Sequence, residues 1–170
     1  MPLLSRRDLL THLAQLSAVG AGALALPGCY GDSTYDLDRE TATQWAERAA
    51  ALEQGGVYTP AAPGEWAGKE AAHTPTATLM DMGGALTVKA FVNHVMTAEH
   101  WISGVYFRDQ DNNVFFLQEL SYTDGDPGAE KGVTVYAQVP AGVTAVTAFA
   151  YCNLHDCWRS ETVSRAAAAT

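Results

Sequence analysis

From residue 85 onward the chain alternates apolar and polar positions with a period of two. Ala85–Val92 (ALTVKAFV) alternates, as do segments 132–139 and 143–151, while 100–107 is aromatic and β-branched and 113–120 is a further run. Turn-forming clusters separate them: Met82-Gly83-Gly84, Asp109-Gln110-Asp111-Asn112, Asp124-Gly125-Asp126-Pro127-Gly128 and Pro140-Ala141-Gly142. Five short strands spaced by turns over about a hundred residues predict an all-β domain, an immunoglobulin-like antiparallel β-sandwich. A different period governs residues 36–54. Leu37, Thr41, Trp45, Ala49 and Leu52 fall on one helical stripe, Asp36 or Asp38 can cap its start, and Gly55-Gly56 ends it. The helix reads as structural, with Trp45 and Leu52 packing on the domain that follows or on a neighbouring subunit. Residues 58–65, rich in proline, read as a linker.

The first 29 residues belong to neither pattern. Ser5-Arg6-Arg7-Asp8-Leu9-Leu10 is a twin-arginine motif, followed by an apolar, alanine- and glycine-rich stretch too short to be a dedicated membrane span. Leu26-Pro27-Gly28-Cys29 resembles a lipoprotein cleavage box, with Cys29 the residue to be lipidated. The expected division is therefore a signal over 1–29, helix and linker over 30–65, the β domain over 66–165, and a tail over 166–170. The product would be exported, facing the outside of the cytoplasm, either periplasmic or membrane-anchored only through a lipid on Cys29.

Composition narrows the partners. The chain has 170 residues, 48% of them hydrophobic, which is enough for one packed core. Its formal net charge of −9 argues against nucleic acid or an anionic membrane surface. Removing residues 1–28 takes away two arginines and one aspartate, so 10 − 2 = 8 basic and 19 − 1 = 18 acidic residues leave −10. Three cysteines, with no Cys-x-x-Cys pair, make neither a disulfide scaffold nor a zinc ribbon.

Imidazole and thiol are concentrated instead. Apart from His12, the histidines are His73, His94, His100 and His155, and Cys152 and Cys157 flank the last of them in Cys152-Asn153-Leu154-His155-Asp156-Cys157-Trp158. Neutral imidazole suits iron, copper, nickel and zinc, and a thiolate is a soft, charge-donating ligand. Each of these residues lies at the end of a predicted strand or in a loop, where distant segments of a sandwich can converge. The spacing alone indicates one mononuclear transition metal, rich in imidazole, with one thiolate.

Residues 66–158 also resemble the superoxide reductase family, the iron domain shared by desulfoferrodoxin and neelaredoxin. Three segments in order carry the resemblance: His73-Thr74-Pro75, the His94-to-Ile102 stretch His-x-Met-Thr-x-Glu-His-Trp-Ile, and the Cys152-to-Trp158 stretch Cys-Asn-Leu-His-x-x-Trp. The resemblance implies an immunoglobulin-like sandwich holding one iron per chain, cycling between Fe2+ and Fe3+. It implies His73, His94, His100 and His155 as equatorial ligands, Cys152 as axial thiolate, and a sixth position open to a small anion. The implied reaction is one-electron reduction of superoxide to hydrogen peroxide, supplied by an electron donor protein not identified by the sequence. A homo-oligomer is implied likewise, and the absence of the cysteine-rich domain found in some members makes this a one-iron form.

Two positions depart from the family pattern. Ala71 and Ala72 stand where the family has Glu-Lys before its first histidine, and Lys69-Glu70 comes two residues earlier. Lys69 is then the candidate for guiding the anion, with an ordinary solvated loop residue as the alternative. Val95 replaces the usual proline, which relaxes the turn without removing a ligand. Met96 and Trp158 read as packing beneath the site, with shielding of the metal as the alternative for the indole, Glu99 as a hydrogen-bonding residue, and Cys157 as a small buried hydrophobe or a redox-active neighbour of Cys152. Asn153 and Leu154 are expected to place backbone N–H groups near the thiolate sulfur. An alternative from another class is an electron carrier, with iron or with copper of cupredoxin type. A blue-copper site needs only two histidines, one cysteine and a weak axial ligand. A third is a relative that keeps iron without useful reductase activity.

Overall fold

The computed structural model describes residues 39–126 and 132–165. The signal segment with Cys29, the helix-capping Asp36 and Asp38, and the tail 166–170 lie outside the described residues. Helix α1 spans Arg39–Leu52, and nine strands follow among the described residues. They are β1 (Val57–Tyr58), β2 (Thr76–Met82), β3 (Ala85–Val92), β4 (Ile102–Arg108), β5 (Val114–Glu119), β6 (Val133–Gln138), β7 (Ala145–Cys152), β8 (Asp156–Arg159) and β9 (Val163–Ser164). A single-turn helix, α2 (Glu70–His73), precedes β2.

Two sheets face each other. The larger runs β1-β8-β7-β4-β5 with β9 also pairing β7, and the smaller runs β2-β3-β6. All pairings are antiparallel except β1 on β8, which is parallel, with Val57 opposite Cys157 and Tyr58 opposite Trp158. The all-β sandwich expected from the alternation is the fold observed. Period two explains which residues enter the core: Val88, Ala90 and Val92 of β3 and Val133, Val135 and Ala137 of β6 point inward against Ile102, Val105, Phe107, Val146, Ala148 and Ala150 of the larger sheet. Each fully buried Val, Ile or Phe contributes about 1.5–3 kcal/mol of burial free energy.

The outer face of the larger sheet is covered by α1. Ala49 and Leu52 are buried with Tyr106, Val114, Phe149 and Cys157, and Trp45 packs its ring 5.8 Å from Phe116. Arg108 on β4 reaches Glu53, just past the helix end, at 2.8 Å, and the Tyr106 hydroxyl donates to the same carboxylate. The helix therefore docks by its apolar stripe and is pinned at its C-terminal end. Gly56, at φ 114, closes it in a conformation that favours glycine.

Three elements carried no clear sequence signal. Strand β2 is an edge strand with four of its seven positions exposed and only Ala77 and Leu79 packed on the core, so its apolar face is too short to read. Strand β8 is only four residues long. The stretch read as a linker is shaped by backbone bonds instead: β1 pairs with β8, Thr59 bridges Ala62, and Gly64–Trp66 forms a 3-10 turn. Among the described residues no helix is long and apolar enough to cross a membrane.

Candidate metal centre

His73 ends α2. Ala71 and Ala72 are strong helix formers, and Pro75 stops the turn from continuing. The turn places the His73 ring over its own backbone four residues earlier, where Nδ1 donates to the Lys69 carbonyl at 2.8 Å. His94 lies two residues beyond β3, and its Nδ1 donates to the Val95 carbonyl. The chain then folds back through a closed turn in which the backbones of Thr97 and His100 bond reciprocally at 3.0 and 3.1 Å. That turn delivers His100 just before β4. Cys152 ends β7 opposite Ile102, and His155 occupies the tight turn between β7 and β8.

These five residues converge. Their ligating atoms, His73, His94 and His100 Nε2, His155 Nδ1 and Cys152 Sγ, all lie within 4.8 Å of one another. The nitrogens form a closed quadrilateral, His73–His94–His100–His155, with edges of 3.1, 3.0, 3.0 and 3.0 Å. Neighbouring rings stand at 69° to 87° to each other. Two nitrogens about 2.1 Å from a common metal and at a right angle to each other stand about 3.0 Å apart. Cys152 Sγ lies 3.2, 3.5 and 3.6 Å from the nitrogens of His100, His155 and His94. A sulfur and a nitrogen bound at about 2.3 and 2.1 Å, again at a right angle, would be about 3.1 Å apart.

Hydrogen bonding among the rings cannot account for this arrangement. A neutral imidazole carries one N–H, and in both His73 and His94 it is committed to a backbone carbonyl. Their two Nε2 atoms therefore face each other at 3.1 Å as bare acceptors, with no proton between them. Only a cation makes that contact favourable. Burial keeps the rings neutral, lowering the pKa values of His73 and His94 to about 4 and moving those of His100 and His155 in the same direction. Burial also raises the Cys152 thiol pKa, opposed by backbone N–H groups of Leu154 and His155. The donor set fits a single transition metal of the imidazole-and-thiolate kind. It uses four of the five histidines, where a blue-copper site would need two.

The surroundings fix the ligands. Leu154 N–H donates to Cys152 Sγ at 3.4 Å, as expected, whereas the Asn153 N–H goes to the Trp101 carbonyl at 3.2 Å and not to sulfur. The Asn153 side chain does different work: Oδ1 accepts from Trp101 N–H at 2.9 Å and Nδ2 donates to the Glu99 carbonyl at 3.0 Å. It thus grips the backbone on both sides of His100. Glu99 is held by that carbonyl, and its carboxylate is exposed. Trp158 is fully buried, donates from Nε1 to the His155 carbonyl at 2.8 Å, and stacks at a tilt 5.7 Å from the His73 ring. Met96 packs against the inter-sheet core, and Cys157 is buried on the other face of the larger sheet beside Tyr106, its thiol pKa pushed up to about 12 by burial.

A cavity of about 370 Å³ opens onto the site, lined by Lys69, Ala71, Ala72, Val95, His73, His94 and His100. Cys152 is not among its walls. Lys69 is exposed at its rim, close enough that its charge further lowers the pKa of His73, His100 and His155. The Glu70 carboxyl accepts from the backbone N–H groups of Gly68 and Glu70, which hold its pKa low. Trp66 and Asp156, which the sequence did not single out, also lie at the site: Trp66 packs edge-on against the His155 ring and donates Nε1–H to Asp156.

Residues 65–161 match the desulfoferrodoxin family model. No curated protein matches the chain. Among solved structures, a superoxide reductase in the oxidised state is 20% identical, covering 66% of this chain and 98% of that one, with a TM-score of 0.47. A superoxide reductase from Treponema pallidum is 27% identical over 55% of this chain and 68% of its own, with a TM-score of 0.40. A neelaredoxin-type superoxide reductase from Ignicoccus hospitalis, variant E23A, is 24% identical over 64% and 93%, with a TM-score of 0.46.

Proposed function

The chain belongs to the desulfoferrodoxin family, and on that premise we propose that it is an oxidoreductase that reduces superoxide to hydrogen peroxide at one iron held by His73, His94, His100, His155 and Cys152. The observation that carries this reading is the pair of acceptor nitrogens, His73 and His94 Nε2, facing each other at 3.1 Å within a square of four. Bound there, ferrous iron supplies the one electron that superoxide takes up with two protons to become hydrogen peroxide. The remaining work belongs to the protein. Desolvation keeps the imidazoles neutral and ready to bind. His73, His94 and His100 line the cavity and Cys152 does not, so a small anion can enter where Lys69, Ala71 and Ala72 form the rim.

Lys69 is the natural guide. With a net charge of −9 the surface repels an anion in general, so a lysine at the mouth provides the local attraction that steering requires. The one-turn helix α2 supports this role, because its two alanines set Lys69 one turn from His73 and turn the Glu70 carboxyl back onto its own backbone. Each superoxide consumes one electron, so the reading also requires an electron donor protein. The twin-arginine segment and Cys29 support a location outside the cytoplasm, soluble or lipid-anchored.

The test is a pulse of superoxide delivered to iron-loaded, reduced protein. One hydrogen peroxide per superoxide without oxygen release, accompanied by oxidation of the iron, is the expected result. Oxygen released at half the superoxide consumed would indicate dismutation and overturn the proposal.

A further inference from the structure

His155 is oriented differently from its neighbours. His73 and His94 each tether Nδ1 to a backbone carbonyl and present Nε2 to the site. His155 presents Nδ1, the nitrogen nearest its backbone, so that tether is not open to it. Something else must hold its ring. Trp66 stands against it at a centroid distance of 4.9 Å and an angle of 81°. The Trp66 indole is in turn fixed by donating Nε1–H to the Asp156 carboxylate at 3.0 Å.

Asp156 is an unusual residue to find there. Its φ is 57°, in the left-handed region that a non-glycine side chain occupies only when its surroundings fix it. The carboxylate is also hemmed in from the other side. A Cβ on Gly55 would sit 2.2 Å from Asp156 Oδ1 and 2.6 Å from its Cγ, so the turn that ends α1 closes directly on this group. Gly55 lies outside the residues matched to the family, and Asp156 and Trp66 lie within them. The left-handed backbone aims the carboxylate at Trp66, and Trp66 faces the ring of His155.

We propose that Asp156 and Trp66 form a positioning pair that sets the ring orientation of His155, with Gly55 providing the space the carboxylate needs. The inference rests on the metal site proposed above. It acts through the ligand, and neither residue touches the reacting species.

The experiment compares the iron-loaded wild type with Trp66→Phe, Asp156→Gly and Asp156→Asn. Phenylalanine keeps a ring and removes the N–H. Glycine accepts the positive φ and removes the carboxylate, and asparagine tolerates the φ while keeping an acceptor oxygen. The readouts are the rate of iron loss to excess EDTA and the position of the ferric thiolate absorption band. Removing an outer partner of a metal ligand weakens metal binding about 10–100-fold, so Trp66→Phe and Asp156→Gly are each expected to lose iron about that much faster and to shift the band. Their double variant is expected to be no worse than either alone, and Asp156→Asn should stay near wild type. Wild-type rates and band in Trp66→Phe and Asp156→Gly would overturn the pairing, as would full additivity or an Asp156→Asn as impaired as Asp156→Gly. A wild type that takes up no metal would instead remove the site itself, and the pairing with it.

Discussion

Replacing Asn153 with alanine should strike both the fold and the site. The amide makes two bonds to backbone, accepting from Trp101 N–H at 2.9 Å and donating to the Glu99 carbonyl at 3.0 Å. Each such bond is worth about 0.5–1.5 kcal/mol net. Glu99 is exposed, so its freed carbonyl can take a water. Trp101 is half-buried, and its N–H loses a partner it cannot fully replace, adding a desolvation cost of about 1 kcal/mol. The expected total is a loss of about 2–4 kcal/mol in urea unfolding of the metal-free protein. His100 stands between the two gripped positions, so iron retention against a chelator should fall about tenfold or more as well. Leu154→Ala is the control: its side chain is 54% exposed, and a stability change within about 0.5 kcal/mol is expected. If Asn153→Ala unfolds with the wild-type midpoint and holds iron equally well, the grip on His100 is not what orients it.

Four further outcomes follow from the same geometry. Lys69→Ala should slow the bimolecular reaction with superoxide about tenfold and flatten its dependence on ionic strength, while Lys69→Arg retains both; an unchanged rate across salt, followed by pulse radiolysis, would remove the steering role. The metal-free protein should lose stability as pH falls. His73 and His94 bind protons near 6.5 when unfolded but only near 4 when folded, so their contribution is present above 6.5 and disappears through the window down to about 4. Thermal melts across that range check this, and a flat profile refutes it. Leu52→Ala, emptying the contact between α1 and the larger sheet, should cost about 2–3 kcal/mol in urea unfolding, and a cost under 1 kcal/mol would mean the helix is not part of the cooperative fold. Iron at a hundredfold excess over its dissociation constant should add about 2.7 kcal/mol of stability, seen as a rise in Tm that EDTA reverses; identical melts with and without iron would contradict binding to the folded state.

What could be read from the sequence was what repeats or clusters locally. Strand β3 was legible to the residue because Ala85–Val92 is buried on one face and half-covered on the other. Helix α1 was legible from its stripe of Trp45, Ala49 and Leu52. Strand β2 was not, because an edge strand with no buried position sends only Ala77 and Leu79 to the core, too few to reveal an apolar face. The five donors were found because imidazole and thiol are scarce residues grouped in three short segments. Their supports were not found for the opposite reason. Asn153 bonds to residues more than fifty positions away, and Trp66 reaches Asp156 across ninety. Neither pairing leaves a periodic trace in the chain. The lipidation box and export signal remain expectations of the sequence.

The arrangement also explains why these supports are needed. The acceptor nitrogens of His73 and His94, 3.1 Å apart, repel each other, and burial denies them the water that would screen the repulsion. A loop-borne site would open to relieve this. Here each donor is tied to a different rigid element: His73 to a helical turn closed on Lys69, His94 to the end of β3, His100 to the turn gripped by Asn153, and Cys152 to the end of β7, within the sheet. Only His155 sits in a tight turn with its inner nitrogen committed to the site, and there the chain sets two indoles, Trp158 on the backbone carbonyl and Trp66 on the ring. The sandwich core opposes the separation of the ligands, so the repulsion among them persists in the metal-free fold as affinity for a cation. The selectivity for a metal that accepts four imidazoles and a thiolate then lies in the scaffold as much as in the donor atoms.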